Sequence, residues 1–143
     1  MAVERRDFIK QACGLCASIV GISAILPALS SCTPLKSYSG EIIQGSIQLP
    51  VNQFAEENNL VIIKNPTLEF EIAVVKFPNG KYRAFELQCT HRTYPLIATK
   101  SGFVCNQHGS RFDLEGKVTQ APAESNLKEY LVQSNGETLN IKI

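Results

Sequence analysis

Beyond Cys32, apolar residues recur at every second position rather than every third or fourth. That is the spacing at which side chains share one face of an extended strand. Glu41–Leu49 predicts one strand, and Leu60–Lys64 predicts a second, an apolar run closed by Asn65-Pro66. Leu68–Phe77 alternates and predicts a third. Asn79-Gly80, the dipeptide that suits a two-residue hairpin, follows it, and Lys81–Leu87 predicts the return strand. Tyr130–Gln133 and Thr138–Ile143 flank Asn135-Gly136 and predict another hairpin. No stretch after Cys32 holds a helical period beyond two turns, and there is no internal repeat. Short strands separated by turn signals predict an all-β fold, a barrel or a sandwich.

The pattern before Cys32 is different. Residues 1–11 carry charges, Ala12–Leu29 carries none, and the run breaks off at Ser30-Ser31-Cys32. This is the basic, apolar and small-residue order of a signal peptide. Gly14, Ser18, Gly21, Ser23 and Pro27 dilute the apolar run below a strong membrane span. Arg5-Arg6-Asp7-Phe8-Ile9-Lys10 resembles a twin-arginine (Tat) export signal, whose pathway carries folded proteins and so suits a cargo loaded with its cofactor. Leu29-Ser30-Ser31-Cys32 resembles a bacterial lipobox, in which Cys32 becomes the lipidated first residue of a lipoprotein. The expected organisation is a signal over residues 1–31, a helix removed or retained as an anchor. A tether over 33–40, reaching at most about 28 Å, and a β domain over 41–143 follow it. The expected location is the periplasmic side of a bacterial membrane, exported and membrane-anchored.

Composition narrows the chemistry. At 143 residues there is room for one modest domain and a tail, and 14 Lys+Arg against 13 Asp+Glu leaves a net charge of +1. Such a balance offers no electrostatic footprint for nucleic acid. The chain holds five cysteines and two histidines. Setting aside Cys13 and Cys16 in the signal and Cys32 for lipid leaves Cys89 and Cys105, which pair with the two histidines in Cys89-Thr90-His91 and Cys105-Asn106-Gln107-His108. Two thiolates with two imidazoles suit zinc or an iron–sulfur cluster. Zinc fingers space their cysteines together and their histidines together. Here each pair is mixed, which makes sense where each loop contributes a ligand to each of two metals. A zinc-stabilised β domain with no redox role is the alternative.

The two pairs, with Gly109-Ser110-Arg111-Phe112-Asp113-Leu114-Glu115-Gly116-Lys117-Val118 after the second, resemble the cluster loops of the Rieske family and the strand behind them. Ala121-Pro122-Ala123-Glu124-Ser125-Asn126-Leu127 resembles its proline loop, so the resemblance covers roughly residues 86–130. It implies a Rieske-type antiparallel β domain with a cluster-binding subdomain of two loops. It also implies one [2Fe–2S] cluster held by Cys89 and Cys105 on one iron and His91 and His108 on the other. Ser110 matches a hydroxyl that hydrogen-bonds a cluster sulfide, and Phe112 stands where high-potential members carry Tyr. Two neutral imidazoles in place of two thiolates leave the oxidised cluster neutral, which makes reduction easier. Rieske potentials accordingly lie at roughly −150 to +300 mV, against about −400 mV for plant-type ferredoxins.

The implied activity is one-electron transfer, not catalysis by the chain alone. The implied partner is a redox protein or the larger subunit of an oxidoreductase such as the arsenite-oxidase type. Quinol-oxidising members tie their cluster loops with a disulfide, and the matching positions here are Tyr94 and Gln107. Arg92, Thr93, Tyr94, Asn106 and Gln107 make polar loop tips, which suit a protein partner better than a quinone. A Rieske subunit of a quinol:cytochrome c oxidoreductase is the alternative, supported by the anchor. A catalytic oxygenase requires a second iron with further histidines, and none is left over.

Overall fold

Leu60-Val61-Ile62-Ile63 has no polar position to turn toward water, because the strand it forms is covered on both faces. The computed structural model describes residues 34–55 and 58–143, so the predicted signal over 1–31 and the predicted lipid site Cys32 lie outside the described residues. Within the described residues twelve strands follow one another: β1 (Lys36–Ser39), β2 (Ile42–Ile43), β3 (Ser46–Pro50), β4 (Leu60–Lys64), β5 (Ile72–Lys76), β6 (Tyr82–Glu86), β7 (Ile97–Thr99), β8 (Gly102–Val104), β9 (Arg111–Phe112), β10 (Val118–Gln120), β11 (Glu129–Ser134) and β12 (Thr138–Lys142). Among the described residues the helical content is a single 3₁₀ turn at Val51–Gln53, and no helix is long and apolar enough to cross a membrane.

Eight strands form one sheet in the order β1-β4-β5-β6-β11-β12-β3-β2, and β10-β9-β8-β7 form a second, smaller sheet. Alternation along the central strands feeds two cores. Leu60, Ile62, Ala73, Val75, Phe85 and Leu87 point to a core shared with Phe103, Phe112 and Leu127 of the small-sheet region. Val61, Ile63, Ile72, Val74 and Ala84 point the other way, to Ile47, Leu49, Leu139 and Ile141. Each aliphatic side chain taken fully out of water here contributes about 1.5–3 kcal/mol. β4 and β5 therefore read as apolar runs unbroken up to their last residue, while β3 and β12, covered on one face, alternate cleanly.

β1 and β2 stand at opposite ends of the sheet order, yet only Gly40 and Glu41 separate them in the chain. The segment 36–43 is thus a strap that joins β4 to β3 and brings the sheet round on itself. Gly40 N–H donates to the Lys64 carbonyl at 3.3 Å, and Asn65 Nδ2 donates to the Gly40 carbonyl at 2.6 Å.

This corrects the predicted tether over 33–40. Residues 36–39 are a strand paired in parallel with Val61–Lys64, and Tyr38 packs on the second core. Lys-Ser-Tyr-Ser gives no apolar alternation to announce it. The parallel pair also means the domain is not wholly antiparallel. The strand predicted over 41–49 is a hairpin instead, since Gln44 and Gly45 take φ of 50° and 72° and turn β2 into β3. The predicted Leu68–Phe77 strand starts only at Ile72, because Leu68 N–H closes a turn onto the Asn65 carbonyl. The hairpins at Asn79-Gly80 and Asn135-Gly136 stand where the sequence puts them.

Candidate metal centre

Three loops meet at one end of the small sheet. Loop 1, Cys89–Pro95, lies between β6 and β7; loop 2, Cys105–Ser110, lies between β8 and β9; loop 3, Ala121–Lys128, lies between β10 and β11. In loops 1 and 2 the cysteine is the residue whose N–H closes the loop. Cys89 N–H donates to the Tyr94 carbonyl at 2.8 Å, and Cys105 N–H donates to the Ser110 carbonyl at 2.9 Å. Each Cys is thereby held at the base of its loop, inside the first core, at 3% and 0% exposure. Each His, two or three residues later, is carried to the tip. His91 is half-buried and His108 exposed. The mixed spacing in sequence becomes a sorted pair in space, with thiols below and imidazoles above.

The two imidazole rings lie 5.0 Å apart, edge to face, at 86°. His91 Nδ1 is buried without a hydrogen-bond partner, the one such side-chain nitrogen or oxygen among the described residues. A buried nitrogen lone pair left unmatched costs free energy, so it marks an atom shaped for a bond to something else. Both cysteines are free thiols. Burial pushes the Cys89 thiol up, but the N–H groups of His91 and Arg92, with the side chains of Cys105 and Ser110, outweigh it and hold the thiol below its ordinary value. Those same groups suit a thiolate. Among the described residues no three His, Cys, Asp or Glu side chains converge on a single ion. Two pairs, each able to serve its own metal, fit a binuclear group better than one tetrahedral zinc. The donor set and its sorting fit a [2Fe–2S] cluster.

Loop 3 is hung on the other two. Ala123 N–H donates to Ser110 Oγ at 3.0 Å, and Ser110 is fully buried. Thr90 Oγ1 donates to the Ser125 carbonyl at 2.6 Å, and Gln120 Nε2 donates to the Gly109 carbonyl at 2.9 Å. Because Ser110 Oγ accepts from Ala123, its own hydrogen is free to be given to Cys89. The structure therefore brings together all five predicted residues, Cys89, His91, Cys105, His108 and Ser110. Sequence reasoning had no role for Thr90 or Gln120, whose partners lie in other loops. A hydroxyl between Cys and His, with no helix to cap, was the available signal. Phe112 is buried in the same core as both cysteines, and Arg92, Thr93, Asn106 and Gln107 are exposed at the tips.

The geometry agrees with comparisons to known proteins. The large oxygenase component of the naphthalene 1,2-dioxygenase system of Pseudomonas putida is 34% identical over 76 residues, a match covering 50% of this chain and 15% of that protein. The chain thus spans a small part of that relative's length. The ubiquinol-cytochrome c reductase iron-sulfur subunit of Bradyrhizobium diazoefficiens is 26% identical over 152 residues, covering 86% of this chain and 85% of that subunit. In fold, the quaternary ammonium Rieske monooxygenase CntA in its apo form is similar at a TM-score of 0.53 and 20% identity, over 65% of this chain and 31% of that one. The model of the Rieske [2Fe-2S] domain matches residues 47–131, more than half of the chain and all of the three loops. The chain belongs to the Rieske [2Fe-2S] domain family.

Proposed function

We propose that Cys89, Cys105, His91 and His108 hold a Rieske-type [2Fe–2S] cluster and that the protein transfers single electrons between redox partners. The observation that carries this is the sorting of buried thiols from tip imidazoles, with His91 Nδ1 buried and unpartnered. When bound, the cluster supplies a one-electron couple. The residues around it do the rest. Cys89 and Cys105, deprotonated and out of water, anchor it in the core. Ser110 Oγ–H stabilises charge on the Cys89 sulfur. The outer ring nitrogens of His91 and His108 can hold protons at the surface, and exposed His108 is the contact a partner reaches first.

The similarity to a ubiquinol-cytochrome c reductase subunit, over 85% of that subunit, supports work alongside a larger oxidoreductase component. It also favours a second reading, a Rieske subunit of a quinol:cytochrome c oxidoreductase. The polar tips argue for a protein partner instead. The similarity to the naphthalene dioxygenase component concerns 15% of that protein. Both histidines of this sequence stand in the loops proposed to hold the cluster. Export by a twin-arginine signal and a membrane anchor at Cys32 belong to the same proposal, supported by the motifs at Arg5-Arg6 and Leu29–Cys32.

Purified protein should contain two irons and two acid-labile sulfides per chain, and its one-electron-reduced form should give a low-temperature EPR signal absent from the oxidised form. Cys105→Ser and His91→Ala should each lose it. Stoichiometric zinc in protein made with ample iron would overturn the proposal.

A further inference from the structure

Below the loop tips, loops 1 and 2 share the buried surroundings of Cys89, Cys105 and Ser110. Above them, among the described residues, no N–H···O or O–H···O hydrogen bond runs from one loop to the other. No disulfide does so either, since both described cysteines are free. Each loop is hydrogen-bonded to the segment running from β10 into loop 3, not to its neighbour. What crosses between them is a set of rings. The Tyr94 ring lies 6.2 Å from that of His108, tilted at 63°, and His108 in turn faces His91.

Tyr94 is held for that purpose by its backbone. Its carbonyl accepts from Cys89 N–H at 2.8 Å, and its N–H donates to the Arg92 carbonyl at 2.7 Å, so both main-chain groups are fixed. Pro95, next along, bridges back to Gln88. Tyr94 is 37% exposed, and its hydroxyl makes no side-chain hydrogen bond among the described residues. Asn106, Gln107 and His108 are all exposed, so the tip of loop 2 has little else leaning on it. An aromatic side chain set against an imidazole within 7 Å, at a tilted angle, is a favourable pair.

We infer that Tyr94 is a positioning residue, a noncovalent brace that holds the His108 imidazole in place from loop 1 and slows loss of the group it helps bind. This rests on the cluster reading above and adds a residue to it. The brace works through the ring face and edge, so the hydroxyl is dispensable.

The test uses full-length holo-protein and its Tyr94→Phe, Tyr94→Leu and Tyr94→Ala variants. Iron and sulfide content of the wild type comes first; a wild type with no cluster overturns the cluster reading and this inference with it. With a cluster present, two readouts follow: decay of visible absorption under an iron chelator, and the EPR line shape of the reduced state. Tyr94→Ala should release iron faster by about two- to tenfold, the range for one aromatic pair, with altered EPR lines. Tyr94→Phe should match the wild type in both. If Tyr94→Ala cannot be isolated loaded, Tyr94→Leu, which keeps apolar bulk without the ring, carries the comparison against Phe. Wild-type release and line shape in the variants lacking the ring, or a Phe variant as fast as the Ala one, overturns the brace while leaving the cluster reading intact.

Discussion

Phe112 is 2% exposed and packs in the same core as Cys89 and Cys105, two residues beyond the buried Ser110. A hydroxyl added there, donating to a cluster-bound thiolate, favours the electron-rich reduced state. One charge-assisted hydrogen bond is worth about 1.5–3 kcal/mol, which for a one-electron couple is roughly 65–130 mV. Phe112→Tyr is expected to raise the reduction potential into that range, and voltammetry on loaded protein checks it. No upward shift would place residue 112 in core packing alone. Ser110→Ala should move the potential down. It should also strand Ala123 N–H without its 3.0 Å acceptor, a loss of about 1–3 kcal/mol that urea unfolding measures separately. The proposed ligands stand out in the sequence, because two thiols and two imidazoles fall in two short mixed pairs, Cys89-Thr90-His91 and Cys105-Asn106-Gln107-His108. Tyr94 and Thr90 were not legible as supports. Their partners, the His108 ring and the Ser125 carbonyl, lie in other loops and meet them only after folding.

β6 and β11 join the two runs of the large sheet through just two paired residues on each strand, Glu129 with Phe85 and Tyr130 with Ala84. Beside that short ladder Arg83 grips Glu129 with two hydrogen bonds of 2.7 and 2.6 Å. The Arg83 hydrogen bonds hold the Glu129 carboxyl below its ordinary value, against a smaller effect of burial. A depressed carboxylate stabilises the fold above its unfolded pKa and loses that contribution as pH falls through the lowered folded value. Both side chains are 35–42% exposed, so solvent screening reduces the contribution to about 0.2–1 kcal/mol. Glu129→Gln should therefore be less stable than wild type at neutral pH, and the gap should close as pH drops below about 4. Urea melts at a series of pH values test this, and a gap that widens in acid contradicts it. Legibility at this scale tracks length. Strands of five or six residues with Asn-Gly turns announce themselves. β7 to β10 hold two or three residues each, too few for a period of two to show, and β1 is polar and found its partner by a parallel pairing across the chain.

At the scale of the molecule, closure of the large sheet depends on the strap at residues 36–43. A Cβ on Gly40 would lie 2.6 Å from Ile47 Cγ2 and 3.3 Å from Tyr38 Cε1, so Gly40→Ala should cost about 1–3 kcal/mol by overpacking. Ile47→Ala in the same chain should recover part of it, a coupling seen in a double-mutant cycle of urea midpoints. Because the strap is a strand, Thr33-Pro34-Leu35 alone separates Cys32 from β1, far less than the tether the sequence suggests. The chemistry proposed at Cys32 is then checked directly. Lipidation forms a thioether between the Cys32 sulfur and the diacylglyceryl group of a membrane phospholipid, whose phosphate headgroup leaves, and the Ser31–Cys32 peptide bond is then hydrolysed. Intact-mass spectrometry of protein from membranes should show loss of residues 1–31 and added acyl mass, and the protein should enter the detergent phase on partitioning. Each buried CH₂ adds ~0.8 kcal/mol, so two or three acyl chains hold where one does not. Cys32→Ser should stay unprocessed at that bond and carry no lipid. A serine variant cut at the same bond would show that an ordinary signal peptidase acts there and that the sulfur anchors nothing.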